Sequence, residues 1–453
     1  MAVTHVPLSL TENYCESWGV WEGVRELVQN VHDGAIEAGG DCWSADAEAS
    51  YSCRAGDDVV AYISYDSARE RLTLVNRSVG LQRRVLLLGA SRKADSVHVI
   101  GQFGEGMKVG GLALLREGRS FEMLTGGEHW RWTRRMDEAF GVRVLTVEVS
   151  ERASAAALLV DDDDALDAKP PLAHAHDDTV MLVEPLGAGE WATFSARFLF
   201  LRPAADSFRS VELGELLLDD GLRGMLYVKG VWIADMRAEY NLGSGLNLTH
   251  LRLDRDRRAV VHASDLESQS AALWVRAIGT RPRLAARVLE LMQQPMPGAD
   301  VRRVSEFLGG KAGVADAIAS AWFAQHGGDA VPIAQGDLAL LCGPSGLGDL
   351  AALEKRLGRR LVLVSQQVLD VLGHSSGMPS VKQLEADLLA STHLKKRHPT
   401  AVAWASLDEE ERGVARRVAR VLVASGAPDW EVARLAVLDY GEGEFGDEEV
   451  AGE

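Results

Sequence analysis

The chain has 453 residues, enough at about 150 residues per unit for roughly three domains. Hydrophobic types make up 47% and charged types 25%, an ordinary globular balance that excludes a mainly disordered or fibrous chain. Asp plus Glu number 66 against 48 Lys plus Arg, and the resulting charge of −18 disfavours general electrostatic attraction to nucleic acid while leaving room for a local basic groove.

Residues 18–38 read as a helix: Trp21, Val24, Val28, Val31 and Ala35 recur at helical spacing, and Gly39-Gly40 supplies a stop. A polar, cysteine-containing stretch follows. Residues 59–65 and 71–76 read as strands joined by the turn Asp66-Ser67-Ala68-Arg69. A glycine-rich loop at 101–106 opens a helix over 107–116, and strands are expected at 121–125, 129–134 and 143–149. Consecutive strands mixed with helices predict an α+β sandwich and not an alternating βαβ sheet. Residues 151–178, Ala-rich and carrying an acidic run at 161–164 and Lys169-Pro170-Pro171, read as an exposed insertion. Residues 179–183 restore a strand.

From about 205 a second unit carries a strand over 225–233, the stretch 251–258 and a helix over 265–279. Beyond 300 come helices interrupted by a strand at 361–364, with 331–375 read as a small α/β unit. The tail 439–453 contains acidic residues and no Lys or Arg, the composition of a solvated segment. No apolar run approaches the ~18 residues of a membrane span, and no basic-then-apolar leader opens the chain. Cys15, Cys42, Cys53 and Cys342 show neither disulfide-scaffold density nor CxxC spacing, so a cytoplasmic setting is expected.

Two segments carry candidate chemistry. In Glu26-Leu27-Val28-Gln29-Asn30-Val31-His32-Asp33, positions 26, 30 and 33 fall within about 60° of one another on a helix. A carboxylate there can polarise a water, and an amide oxygen can ligate magnesium, although an ordinary solvated helix face carries the same residue types. The second segment is Ile100-Gly101-Gln102-Phe103-Gly104-Glu105-Gly106-Met107-Lys108. Its glycines permit close backbone approach, and the N–H groups at a helix start favour an anion. The spacing is neither that of a Walker loop nor that of a dinucleotide fingerprint.

In order, the ExxxNxxD helix, a strand ending in Asn76-Arg77-Ser78-Val79-Gly80, the GQFGEGMK loop and a strand opened by Thr179 resemble the Bergerat ATP-binding fold of the GHKL superfamily. Ser91-Arg92-Lys93 followed by 100–108 is most similar to the MORC ATPases and the ninety-kilodalton heat-shock chaperones. The resemblance covers about 15–190. It implies a Bergerat-type α/β sandwich nucleotide-binding domain over 1–200 followed by a transducer-like α/β domain over 201–300; beyond it, 301–438 reads from the sequence as a mixed, mainly helical accessory region with no role assigned.

Residue by residue, the resemblance implies that Glu26 orients the attacking water, that Asn30 ligates Mg2+, and that Asp33 belongs to the adenine side of the helix. It implies that Gly101, Gln102, Phe103, Gly104 and Gly106 cradle the phosphates of ATP, with Lys93 and Lys108 as basic groups beside them. It implies that Gly80, at the last position of the DxGxG motif, belongs to the nucleotide-binding set, and that Thr179 matches the threonine that supports the adenine-contacting carboxylate. The family's DxGxG is here Asn76-Arg77-Ser78-Val79-Gly80, so an amide stands where the family has aspartate. Its carbonyl oxygen can still accept from an adenine amino group, while its NH2 could donate to a ring nitrogen.

Lys229, Arg255 or Arg257 is expected as the basic group reaching the terminal phosphate. For any one of the three, an exposed strand with cross-strand ion pairs is an equal expectation. The water-orienting Glu26 favours hydrolysis over histidine-kinase chemistry. The function implied is Mg2+-dependent ATP hydrolysis driving lid closure and a conformational change or ATP-gated homodimerisation, with a protein client. The alternative is a nucleotide-sensing interaction module without turnover. His174-Ala175-His176-Asp177-Asp178 reads as a solvated loop more readily than as a metal site, and Trp18 and Trp21 as core anchors. His32 reads as a local packing or capping residue, and 343–348 as a turn.

Overall fold

The computed structural model describes residues 3–47, 49–87, 105–139, 141–151, 177–342, 350–393, 400–424 and 438–439. The architecture is mixed α+β and divides into two compact units, Met1–Arg276 with Gly298–Val301, and Ala277–Pro297 with Arg302–Glu453. No helix among the described residues is long and apolar enough to cross a membrane.

The first unit is built on a nine-stranded antiparallel sheet. Its strands are β1 (Thr4–Thr11), β2 (Cys42–Ala47), β3 (Ser50–Ala55), β4 (Asp58–Asp66), β5 (Arg71–Asn76), β6 (Ser120–Thr125), β7 (Glu128–Asp137), β8 (Val142–Glu151) and β9 (Thr179–Glu184). They lie in the order β1-β8-β7-β6-β9-β5-β4-β3-β2. Helices α1 (Val20–Glu37), α2 (Gly106–Arg116) and α3 (Ala188–Ser195) supply the apolar side chains that bury one face. Val24, Leu27, Val28, Val31 and Ala35 form the core stripe of α1 and meet Ile63, Leu72, Leu74 and Met181 of the sheet. At the start of α1 the Gly19 amide donates to Glu22 Oε2 at 2.9 Å, which satisfies one of the N–H groups a helix start leaves open.

The turn between β4 and β5 forms as its sequence requires, with Asp66 Oδ1 accepting from the amides of Ala68 and Arg69. The polar stretch after α1 is a hairpin, β2–β3. Its outer strand is largely exposed and so carries little apolar alternation, while Tyr51, Ser52 and Cys53 on the inner strand are buried.

A five-stranded sheet completes the unit: β10 (Ser207–Ser210), β11 (Gly214–Leu217), β12 (Met225–Val228), β13 (Val231–Asp235) and β14 (Gly245–Leu248), in the order β10-β11-β14-β12-β13. The expected single strand over 225–233 is therefore two. Lys229 and Gly230 sit between them at φ +50° and +81°, the left-handed pair that a two-residue hairpin turn demands. Arg197 joins α1 to this sheet, its guanidinium carbon 4.7 Å from the Trp21 ring and 4.2 Å from that of Trp232. Trp18 packs with Val109 and Ala113, and Trp21 packs against the main core.

Helix α4 (Ala263–Thr280) follows. The second unit has at its centre two parallel strands, β15 (Ala330–Ala334) and β16 (Arg360–Val364), among short helices. Val331, Ile333, Leu338, Leu353, Leu361 and Val381 form one apolar cluster there.

Candidate active site

Glu22, Glu26, Gln29 and Asp33 are spaced four, three and four residues apart along α1, so they share an arc of about 60°. All four are buried, at 9%, 4%, 2% and 0% exposure. A polar helix face this dry must be met by partners. They come from the second sheet and from the segment after β14.

That segment, Asp254-Arg255-Asp256-Arg257-Arg258, is a turn, which sets aside the exposed-strand reading of Arg255 and Arg257. The reason is local, because Asp254 Oδ1 accepts from the amides of Arg258 at 2.7 Å and Ala259 at 3.0 Å and folds the chain back. The turn is strapped across the beginning of α1. Arg258 reaches Glu22 Oε1 at 2.6 Å and Arg257 reaches Gln29 Oε1 at 2.6 Å. Arg257 also lies 3.6 Å from Glu26 Oε1, and Trp18 Nε1 donates to Asp256 Oδ1 at 3.2 Å. Arg255 bonds the Tyr14 hydroxyl and lies 3.6 Å from Glu105.

Glu26 is enclosed on three sides. Its Oε1 accepts from Arg25 Nη2 at 3.0 Å and Nε at 3.2 Å, and Arg25 in turn lies 5.1 Å from the Trp18 ring. On the other side stands the first residue of α2. A β-carbon on Gly106 would lie 2.1 Å from Glu26 Oε2, so only glycine lets the helix start approach this carboxylate. The two helices cross on further glycines: a β-carbon on Gly110 would meet Gly23 O at 3.2 Å and Glu26 Cβ at 3.3 Å. The early helix and the end of the glycine-rich loop thus face one another directly.

The environment is polarised. Burial works against the charge of Glu22, but the Gly19 amide and the Arg258 guanidinium outweigh it and hold the carboxyl below its usual range. Burial pushes Arg25 and Lys229 down, the latter opposed by the charge of Asp33 and aided by Arg257. Asp33 and Lys229 thereby extend the run of opposed charges along α1.

Asn76 ends β5 beside the same helix. Its Nδ2 donates to Val31 O at 2.9 Å, and a β-carbon on Gly34 would meet that amide at 2.8 Å. The contact commits one N–H of the amide to the helix, so the NH2 expected to donate to a base is partly spent. Thr179 lies opposite Asn76 in the strand register. Its expected support of that side chain is not found, since no hydrogen bond joins the two. Instead a directed chain runs from the Leu81 amide to Thr125 Oγ1 at 2.7 Å, from Thr125 to Thr179 at 2.7 Å, and from the Thr179 hydroxyl to the Val79 carbonyl. The chain fixes the turn that contains Gly80, which is exposed and lies near Gly126.

A scan of known family models finds no match to this chain. No curated protein shows significant similarity to it either. The arrangement is therefore read from its own geometry.

Of the candidates named from sequence, Glu26 lies against Gly106 and 3.6 Å from Arg257, Asn30 lies half-buried one turn along α1 from Glu26, and Asn76 and Thr179 border the helix at the end of the strands. Lys108 is fully buried and its Nζ donates to the Leu87 carbonyl, which binds the start of α2 to the end of the segment 83–87. Burial pushes its pKa down, and Glu105 opposes the shift. Lys93, Gly101, Gln102, Phe103 and Gly104 lie outside the described residues, as do His174, His176, 343–348 and 440–453.

His32 accepts from Trp43 Nε1 at 2.9 Å through Nδ1 and stacks on Phe200 at 4.0 Å, a packing role. Asp178, read as part of a solvated loop, is 1% exposed and accepts from the Ser78 amide at 2.9 Å. Ser78 stands at φ +53°, a backbone state that needs such an anchor. Sequence reading also missed Glu22, Arg25, Gln29 and Arg258. The spacing 22-26-29-33 was available in the sequence, but the partners Lys229, Arg257 and Arg258 lie about 200 or more residues away.

Among the described residues no three His, Cys, Asp or Glu side chains gather as a metal cage. Magnesium is commonly held by one or two carboxylates beside substrate phosphates and keeps several waters, so it does not require such a cage.

Proposed function

We propose that the first unit is a magnesium-dependent ATPase of Bergerat type. The observation that carries the reading is the contact between Glu26 Oε2 and Gly106. It sets a buried carboxylate against the positive end of a helix that a glycine-rich stretch precedes in the sequence.

In this reading Glu26 accepts the proton of a water aimed at the terminal phosphate of ATP. The backbone N–H groups opening α2 bind phosphate oxygens, and Asn30 would hold the magnesium ion, which when bound neutralises phosphate charge. Arg257, the basic group of the second sheet's lobe that stands at Glu26, is assigned to the terminal phosphate ahead of Lys229 and Arg255. Asn76 offers its carbonyl oxygen to the adenine amino group. Positioning and electrostatics supply most of phosphoryl-transfer catalysis, so this set is chemically sufficient. ATP-gated homodimerisation and a protein client belong to the same proposal.

The test is phosphate release from wild type and Glu26→Gln, with ATP binding measured on both. Magnesium-dependent release that is lost in the variant, with binding kept, supports the assignment; equal release from both overturns Glu26 as base. A second reading, nucleotide sensing without turnover, draws on one observation, that two guanidinium groups already surround Glu26 Oε1. ATP binding by wild type without phosphate release would establish it.

A further inference from the structure

We infer that Gln29 is the positioning residue for Arg257: its neutral amide holds the guanidinium beside Glu26 without neutralising it, so that Arg257 stays available to an anionic ligand. The inference rests on the nucleotide reading for the identity of that ligand. The positioning itself stands on geometry alone.

Three observations carry it. Arg257 Nη1 is 2.6 Å from Gln29 Oε1 but 3.6 Å from Glu26 Oε1, so the closer contact is to the amide and the carboxylate is met only as a neighbour. Glu26 Oε1 is already bonded twice by Arg25, which leaves it little need of a second guanidinium. Arg257 itself stands at φ +55°, an uncommon backbone state for a non-glycine residue, and the anchors on either side hold it there: Asp256 to Trp18, and Arg258 to Glu22 and the Ser17 carbonyl. The strap is thus aimed by its flanks, and the tip is steered by Gln29.

An acid at position 29 would make the same contact with a full negative charge. The guanidinium would then be ion-paired twice, and an incoming phosphate would have to compete for it. The choice of amide over carboxylate at a position 2% exposed is what separates aiming from neutralising.

The strap contains Arg255, Arg257 and Arg258, so trypsin reads its docking directly. The experiment compares wild type, Gln29→Met and Gln29→Glu by cleavage within 255–258, mapped by mass spectrometry, and by equilibrium binding of ATP with magnesium. Gln29→Met is expected to be cut at least about fivefold faster than wild type, because the tip loses its holder. Gln29→Glu is expected to be cut at the wild-type rate yet to bind ATP at least about threefold more weakly, a separation that a purely structural role would not produce.

Wild-type cutting of Gln29→Met, or unchanged ATP affinity in Gln29→Glu, overturns the inference. Should Gln29→Met fail to fold, Arg257→Lys replaces the planar fork by a point charge and is expected to loosen the strap in the same assay. A wild-type chain that binds no ATP refutes the nucleotide reading, and the trypsin comparison then judges Gln29 by itself.

Discussion

The approach of α2 to Glu26 can be tested by adding one carbon. A methyl group on Gly106 would lie 2.1 Å from Glu26 Oε2 and 3.0 Å from its carboxyl carbon. The carboxylate cannot swing away cheaply, because Arg25 holds its other oxygen and the group is 4% exposed. Overpacking of this kind costs about 1–3 kcal/mol, offset by up to ~1 kcal/mol of helix propensity gained from alanine. A net loss of about 1–2 kcal/mol is expected for Gly106→Ala.

The displaced carboxylate should also lower phosphate release, on the order of a hundredfold for a shift near 1 Å. The decisive measurement is a double-mutant cycle by urea unfolding. Glu26→Ala alone strands the buried Arg25 guanidinium and should cost about 3–5 kcal/mol. With the carboxylate gone the methyl group loses its three closest neighbours, so Gly106→Ala on that background should cost little or stabilise slightly, a coupling of about 1–3 kcal/mol. An equal cost of Gly106→Ala on both backgrounds would refute the contact.

Asn76→Asp replaces the N–H that serves the Val31 carbonyl with an oxygen. Burial and that carbonyl raise the carboxyl above its usual ~3.9, so the penalty is small below about pH 4 and grows as pH rises, reaching about 1–3 kcal/mol near pH 7. Urea midpoints at pH 4 and pH 7 read the difference. Burial likewise holds Asp300 above the ordinary carboxylate range despite the Gly243 amide, the Trp274 indole and the Ser244 hydroxyl bonded to it. Its contribution to stability is fully present below its unfolded pKa and is lost as pH rises through the raised folded value; Asp300→Asn should flatten that decline, and parallel stability curves for the two proteins would contradict it. Cys53, buried and pushed up to about 11, should resist a thiol reagent at pH 8 while exposed Cys42 reacts first, as mass mapping of the labelled peptides will show.

Legibility in the sequence followed the range of the forces involved. The β4 and β5 segments, α1, α2 and β6 were readable because periodicity and turn chemistry act within a few residues. The β2 strand was not, because an exposed edge needs no apolar face. The 225–233 run hid a hairpin because Lys229 takes a left-handed state that is rare for its type. At the site, Glu26 and Gly106 were legible as parts of two local patterns. The meanings of Glu22, Gln29 and Arg258 were not, since each depends on a partner more than 200 residues distant along the chain. Thr179 was legible as the start of a strand, but its register with Asn76 and the service of its hydroxyl to the turn at Val79 were not.

The charged seam along α1 has a consequence for how the unit should be understood. Glu22, Glu26 and Asp33 face Arg258, Arg257 and Lys229 in that order, with Arg25 and Gln29 among them. Desolvating such groups costs about as much as their attraction returns, and a seam of apolar residues of the same shape would hold the helix as well or better. Stability alone therefore gives no reason for this composition. A site that must exchange partners does, because a guanidinium leaning on a carboxylate at 3.6 Å can pass to another anion, whereas packed leucines can pass nothing. That loose contact stands beside the glycine that opens α2, which is where the proposed phosphate site would draw on it.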